Sequence, residues 1–315
     1  MKKVLIVRLS SLGDVILTSA VIDPLIEAGY KPYILTYKPF GDVFDDDQRV
    51  KVIKVDRNGL FEKSLIETLK KEEFEIHIDL HKKLKTFVLR MMLKGHWISY
   101  RKLSLRRRLG IKIKFLLKNI PSVTEMYTEP LRRYLGINGK YLPKILIKEE
   151  RVKKWREKFG NNFITICTGA RYRKKIYPYF DKIADILCRK GYKVVFLGDE
   201  RDKEMCKNLK GINMCGELSL TDTLAVIKAS SLFIGNDSGL THGARAVKTK
   251  AIQIFGGTHP ILGFGLFKEE GKVISKDLQC QPCDLHGKGV CKYGTYECLD
   301  IDPEIIVECV EHLLS

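Results

Sequence analysis

The sequence predicts an α/β protein of two open domains, each a parallel sheet with helices on both faces. Three observations carry this prediction. Short apolar, β-branched runs alternate with amphipathic helical stretches, the pattern of strands joined by helical crossovers. The alternation occurs twice within 315 residues, a length that gives two domains a core each. Between the two series lies "GINGKYLPKILIKEERVKKWREKFGNN", rich in glycine, proline and charge.

The first run, "VLIVRL" from Val4, reads as a buried strand interrupted only by Arg8. A tight Ser-Ser-Leu-Gly turn follows, and from Val15 the apolar residues take helical spacing until Pro24 and Gly29. Asp14 sits at this junction, where a carboxylate either favours the helix dipole or acts as a base at the carboxyl end of a strand. Gly13 permits a close backbone approach there. "KPYILTY", "VKVIKVD" and "FEIHIDL" supply the remaining strands of the first half. Gly136, Gly139 and Pro143 place the boundary near residue 150, giving domains 1–150 and 151–315. "NFITICTG", "KVVFLGD", "SLFIGND" and "AIQIFGG" then repeat the arrangement. Two such domains facing each other leave a cleft between the carboxyl ends of their strands.

The formal net charge of +18 and pI near 9.4 call for an anionic partner. Nucleic acid fits least: zinc-finger spacing and RNA-binding signatures are lacking, and aromatic residues are not interleaved with the charges. The segment "YRKLSLRRRLGIKIKFLLKN" reads either as a cationic stretch for an anionic membrane or acidic substrate, or as a solvated helix face. No apolar run approaches the roughly 18–20 residues that span a bilayer. Arg8, Asp14 and Asp23 interrupt the opening run, which speaks against a signal peptide; a cytoplasmic protein is expected. Cys167, Cys188, Cys206, Cys215 and Cys309 are scattered and read as free thiols. For Cys280, Cys283, Cys291 and Cys298 a zinc site, a disulfide and free thiols all remain open, none of them catalytic.

The densest chemistry lies in "SSLFIGNDSGLTHGARAVKTKAIQIFGGTHP". A strand ends at Gly235, and Asn236-Asp237-Ser238-Gly239 turns into a helix that carries Thr241 and His242. Gly239 admits a ligand, and the helix N-terminus offers N–H groups to phosphate. Asp237 repels phosphate but accepts hydrogen bonds from sugar hydroxyls, with His242 one turn on. Helix capping explains Asp237 or Ser238 singly and the whole run less well.

"RLSSLGDVILTSAVIDPL", with "FIGNDSGLTHGARAV" and "IFGGTHP", closely resembles the ADP-heptose:lipopolysaccharide heptosyltransferases. These are inverting glycosyltransferases of GT-B architecture, with two facing Rossmann-like domains. The resemblance implies heptose transfer from ADP-heptose to the anionic inner core of lipopolysaccharide, at the cytoplasmic face of the inner membrane, without cofactor, catalytic metal or nucleic acid. It also implies that Asp14 is the catalytic base. An aspartate of ordinary pKa suffices, because the acceptor hydroxyl becomes acidic only as the new bond forms.

By the same resemblance, "ICTGARYRKKIYP" holds the diphosphate through Gly169, Ala170, Arg171 and Lys175, with Lys174 a solvated neighbour. Fixed cations there stabilise the leaving group. Family members often carry hydroxyl residues where Ala170 and Arg171 stand, and an arginine can replace the lost phosphate contacts. Glu200 is assigned to the ribose, with Asp199 close enough to exchange roles. Leu218 lines the adenine or is simply a core leucine. Asp237, Ser238, Gly239 and His242 complete the donor set. Ser11, Gly13, His81, Lys82 and Lys85 face the acceptor, the last three from "HIDLHKKLKTFVLR". The competing functions are a nucleotide-sugar epimerase, another sugar transferase of the same architecture, and a non-enzymatic basic protein that binds membrane or nucleic acid.

Overall fold

The computed structural model describes every residue from Met1 to Ser315. The chain divides into two compact units, Met1–Lys102 with Val123–Leu146, and Leu103–Ser122 with Ile147–Ser315.

The first unit holds strands β1 (Lys2–Val7), β2 (Tyr30–Tyr37), β3 (Lys51–Val55), β4 (Ile76–Asp79) and β5 (His96–Ser99). All pair in parallel, in the order β3-β2-β1-β4-β5. Helices α1 (Leu12–Leu17), α2 (Ile22–Glu27), α3 (Lys63–Lys71) and α4 (Leu84–Met92) alternate with them. Because β1 is covered on both faces, Val4 to Val7 are all buried and its apolar residues run continuously rather than alternating. The helix expected from Val15 starts earlier, at Leu12, and is broken by a 3-10 turn over Thr18–Val21. Beyond α2 the chain turns at Gly29, whose φ of +82° suits glycine.

In the second unit α5 (Ser104–Lys112) forms the basic segment, whereas α6 (Val123–Leu135) belongs to the first unit. The rest of the second unit is α7 (Glu149–Phe159), β6 (Phe163–Cys167), α8 (Phe180–Arg189), β7 (Lys193–Phe196), β8 (Ile212–Asn213), α9 (Leu220–Ala229), β9 (Leu232–Asn236), α10 (Gly239–Ala246), β10 (Ala251–Ile254), β11 (Gly271–Ile274) and α11 (Pro303–Leu314). Its sheet is again parallel, ordered β11-β10-β9-β6-β7-β8. A core of Ile164, Ile166, Ile234, Ile252 and Ile254 packs against Ile183, Leu187, Ile306 and Val310.

All eight expected strands form. The three that the sequence did not announce, β5, β8 and β11, are edge strands, short and half-exposed, so they lack the continuous apolar run of a buried strand. In each sheet the strand order reverses next to its first strand, between β1 and β4 and between β6 and β9. The loops leaving the carboxyl ends of those strands diverge there and leave room for a ligand.

The arginines of the basic segment are partly engaged. Arg106 donates to the carbonyls of Leu116 (2.8 Å) and Lys118 (2.6 Å). The Arg107 guanidinium lies 5.6 Å from the centre of the Phe264 ring, while Arg108 is exposed. No helix is long and apolar enough to cross a membrane.

Candidate active site

In the first unit the candidate residues gather where β1 and β4 part. Arg8, 7% exposed, follows β1 and is held in place by two backbone acceptors, the carbonyl of Ser10 at 2.8 Å and that of Leu80 at 2.5 Å. Its remaining nitrogen forms an ion pair with Asp14 Oδ2 at 2.7 Å. Ser11 precedes α1, and its hydroxyl and N–H donate to the same oxygen at 2.9 and 3.3 Å. Asp14 is thus the third residue of α1, where the free N–H end of the helix also favours its charge. Tyr127, buried on α6, donates its hydroxyl to Asp14 Oδ1 at 3.1 Å, and the Arg8 guanidinium stands 5.5 Å from its ring centre.

Burial alone would raise the Asp14 pKa. Arg8 outweighs it, with Ser11 and Tyr127 adding to the effect, and holds the carboxyl at about 2. This corrects the expectation of an ordinary aspartate. The two oxygens are used unequally: Oδ2 accepts from Arg8 and twice from Ser11, whereas Oδ1 accepts only from Tyr127. The lone pair available to an incoming hydroxyl is therefore on Oδ1.

Gly13 is buried within α1, beside Asp14. His81 is buried too; burial first, then Arg8, Lys83 and Lys102, push its pKa down to about 3. It can offer an anionic acceptor an N–H but no charge. Lys102 donates to the carbonyls of His81 and Lys82, both at 3.3 Å. Lys82 and Lys85 are exposed, and their amines reach the Tyr100 carbonyl (3.1 Å) and the Tyr37 hydroxyl (3.0 Å) respectively. In the sequence Arg8 reads only as an interruption of a strand. A lone charge inside a buried run, which needs a partner, was the available signal. Tyr127 carried none, since it arrives from α6, far along the chain.

In the second unit the candidate residues gather where β6 and β9 part. Asn236, fully buried at the end of β9, donates to the Thr168 carbonyl at 2.8 Å and accepts from the Tyr177 N–H at 3.0 Å. It thereby staples both ends of the turn that contains Gly169, Ala170, Arg171 and Lys175. At Gly169 a Cβ would lie 2.2 Å from Asp202 Oδ1, so a side chain there would displace that carboxylate. Lys175 pairs with Asp237 Oδ2 at 2.8 Å, and Thr258 donates to the same oxygen at 2.8 Å. Burial pushes the Asp237 pKa up, but Lys175, helped by His242 and Thr258, wins and lowers it.

Ser238 is the N-cap of α10, and Gly239 is its first residue. Asp237 lies one position before the cap, so capping does not account for it. His242 is buried, its Nδ1 3.4 Å from an Arg245 nitrogen and its ring 5.9 Å from that of Phe264. Arg245 forms a buried ion pair with Glu270 at 2.9 Å. Lys174 is 6% exposed, with its carbonyl accepting from the Gly257 N–H at 2.6 Å. It is a structural residue and not the solvated neighbour expected. Arg171 is exposed, its guanidinium 5.3 Å from the Tyr172 ring centre.

Asp199 is committed to Arg201, whose backbone N–H it accepts at 2.9 Å and with whose guanidinium it pairs. Glu200 lies against Gly216, where a Cβ would come within 2.2 Å of its carboxylate. Of the two, Glu200 retains the freer carboxylate. Leu218 is half-buried ahead of α9, so it is not a closed core position. All nine cysteines are free thiols, and no three His, Cys, Asp or Glu side chains converge as a metal site.

Residues 63–293 match the glycosyltransferase family 9 (heptosyltransferase) profile. Lipooligosaccharide heptosyltransferase 2 of Campylobacter jejuni is 28% identical over 169 residues, covering 50% of this chain and 52% of that protein. The chain therefore spans about half the length of that curated relative. Lipopolysaccharide heptosyltransferase 1 of Campylobacter coli is 27% identical over 301 residues, covering 81% and 84%. The structure of E. coli heptosyltransferase WaaC with ADP superposes with a TM-score of 0.74 at 19% identity, covering 99% of each chain. That likeness extends over both units and identifies the fold as GT-B. With the family profile matched from α3 to the cysteine-rich tail, this chain belongs to glycosyltransferase family 9.

Proposed function

We propose that the protein is an inverting heptosyltransferase that moves heptose from ADP-heptose to the anionic inner core of lipopolysaccharide at a membrane surface. The observation that supports this best is the Asp14 carboxylate. It is ionised, fixed by Arg8, Ser11 and Tyr127, and has its open lone pair on Oδ1. In a single displacement the acceptor oxygen attacks the anomeric carbon, the bond from that carbon to the diphosphate breaks, and the acceptor proton passes to Asp14 Oδ1. A carboxylate with a pKa of about 2 takes that proton only once the attacking oxygen has become strongly acidic, so proton transfer falls late, with ADP departing as the anion.

Lys175 stands at the β6–β9 divergence, where a diphosphate meets the N–H end of α10. Asp237, beside it, accepts hydroxyls of the sugar, and Glu200 those of the ribose. Ser11, Gly13, His81, Lys82 and Lys85 are the acceptor side, with Arg8 and Lys102 as the cations nearest His81. Incubation with ADP-heptose and a heptose-deficient core acceptor tests the reading. ADP release that requires both substrates is expected; hydrolysis or epimerisation without acceptor would overturn it.

A further inference from the structure

Helix α4 is apolar on two opposite faces. Leu89, fully buried, and Leu93 just beyond its end pack into the core of the first unit with Leu5, Leu35 and Leu69. On the outer side Leu84, Phe87, Val88 and Met91 are 78%, 61%, 38% and 69% exposed. Their i, i+3, i+4, i+7 spacing aligns them as one stripe about two turns long. Single exposed apolar residues are ordinary, whereas a contiguous stripe marks a docking surface. The stripe is bordered by Lys83, Arg90 and Lys94, all exposed and outside the ion pairs of this unit. From Leu80 to Lys102 there are seven Lys and Arg and not one Asp or Glu. An apolar stripe in a wholly cationic frame complements acyl chains beneath anionic headgroups; a second copy of this chain would meet like charge.

We infer that α4 is the lipid-docking element, inserting Leu84, Phe87, Val88 and Met91 into an anionic bilayer surface while Lys83, Arg90 and Lys94 contact its phosphates. This rests on the membrane partner of the proposed function and gives that partner a site. The test is co-sedimentation of the whole protein with phosphatidylglycerol-containing vesicles, for wild type, the double variant Phe87→Ser with Met91→Ser, and Arg90→Ser. Partitioning should fall roughly tenfold or more for the double variant and about fivefold for Arg90→Ser. Neutral phosphatidylcholine vesicles should bind wild type weakly. Turnover of a water-soluble core acceptor without vesicles should be unchanged in all three, which separates this surface from the transfer reaction. Unaltered vesicle binding in the double variant would overturn the inference. So would a wild-type dimer in lipid-free solution that the double variant dissolves.

Discussion

Replacing Arg8 with Met removes the cation that keeps Asp14 ionised while leaving the apolar strand around it intact. The depression of the Asp14 pKa, from an ordinary 3.8 to about 2, corresponds to about 2–3 kcal/mol favouring the carboxylate. Because the folded value lies below the unfolded one, this contribution is fully present above about pH 4 and is lost as the pH falls towards 2. Without Arg8, burial is the dominant influence left, opposed only by Ser11 and Tyr127, so the Asp14 pKa should rise past its ordinary value. In ADP-release assays from pH 4 to 8, wild type should have no acid limb assignable to Asp14. Arg8→Met should acquire one, with kcat/KM climbing through a midpoint above pH 4. Breaking a buried pair should also cost about 3–5 kcal/mol in denaturant unfolding. Should that prevent folding, Tyr127→Phe is the milder probe. Losing one hydrogen bond to a charge, about 1.5–3 kcal/mol, should raise the Asp14 pKa by about 1–2, read by carboxyl carbon NMR. Unmoved profiles in folded Arg8→Met and an unmoved resonance in Tyr127→Phe would refute the electrostatic account of the base.

Lys175→Ala should weaken ADP in calorimetric titration by about 1.5–3 kcal/mol, and should also lower the melting temperature because Asp237 is left buried without its cation. Asp237→Asn should weaken ADP-heptose more than ADP, since only the former offers heptose hydroxyls; equal losses would confine Asp237 to holding Lys175. Glu200→Gln should reduce affinity for ADP while the matching change at Asp199, already spent on Arg201, should not. Asn236→Ala, which frees both ends of the turn from Thr168 to Tyr177, should destabilise the protein by about 1–3 kcal/mol in denaturant unfolding.

The central strands are legible because burial on both faces writes them as unbroken apolar runs, and the proposed donor turn because glycines and helix-start residues cluster after such strands. Asp14 and Asp237 stand out by residue type and place, and Lys175 by the resemblance of its turn to the family's. Their partners do not. Tyr127 and Thr258 reach them across large sequence separations, and no local pattern records which hydroxyl will meet a carboxylate. Lys174 differs from its expected exposure for a related reason: adjacent lysines look alike in sequence, but the backbone of the turn sends one inward against Gly257 and the other to Asp237. The segment Leu103–Ser122, placed with the first half by sequence continuity, clusters with the second unit, where Lys114 donates to the Pro282 carbonyl and Arg107 lies over Phe264.

The most direct test of the central claim is Asp14→Asn, compared with wild type in ADP release and in calorimetric titration of ADP. A general base contributes about 10²–10⁴ in rate. The account predicts a fall of that order in turnover, with an unchanged dissociation constant for ADP because the proposed diphosphate site lies on the second unit. Near-wild-type turnover in folded Asp14→Asn would contradict it.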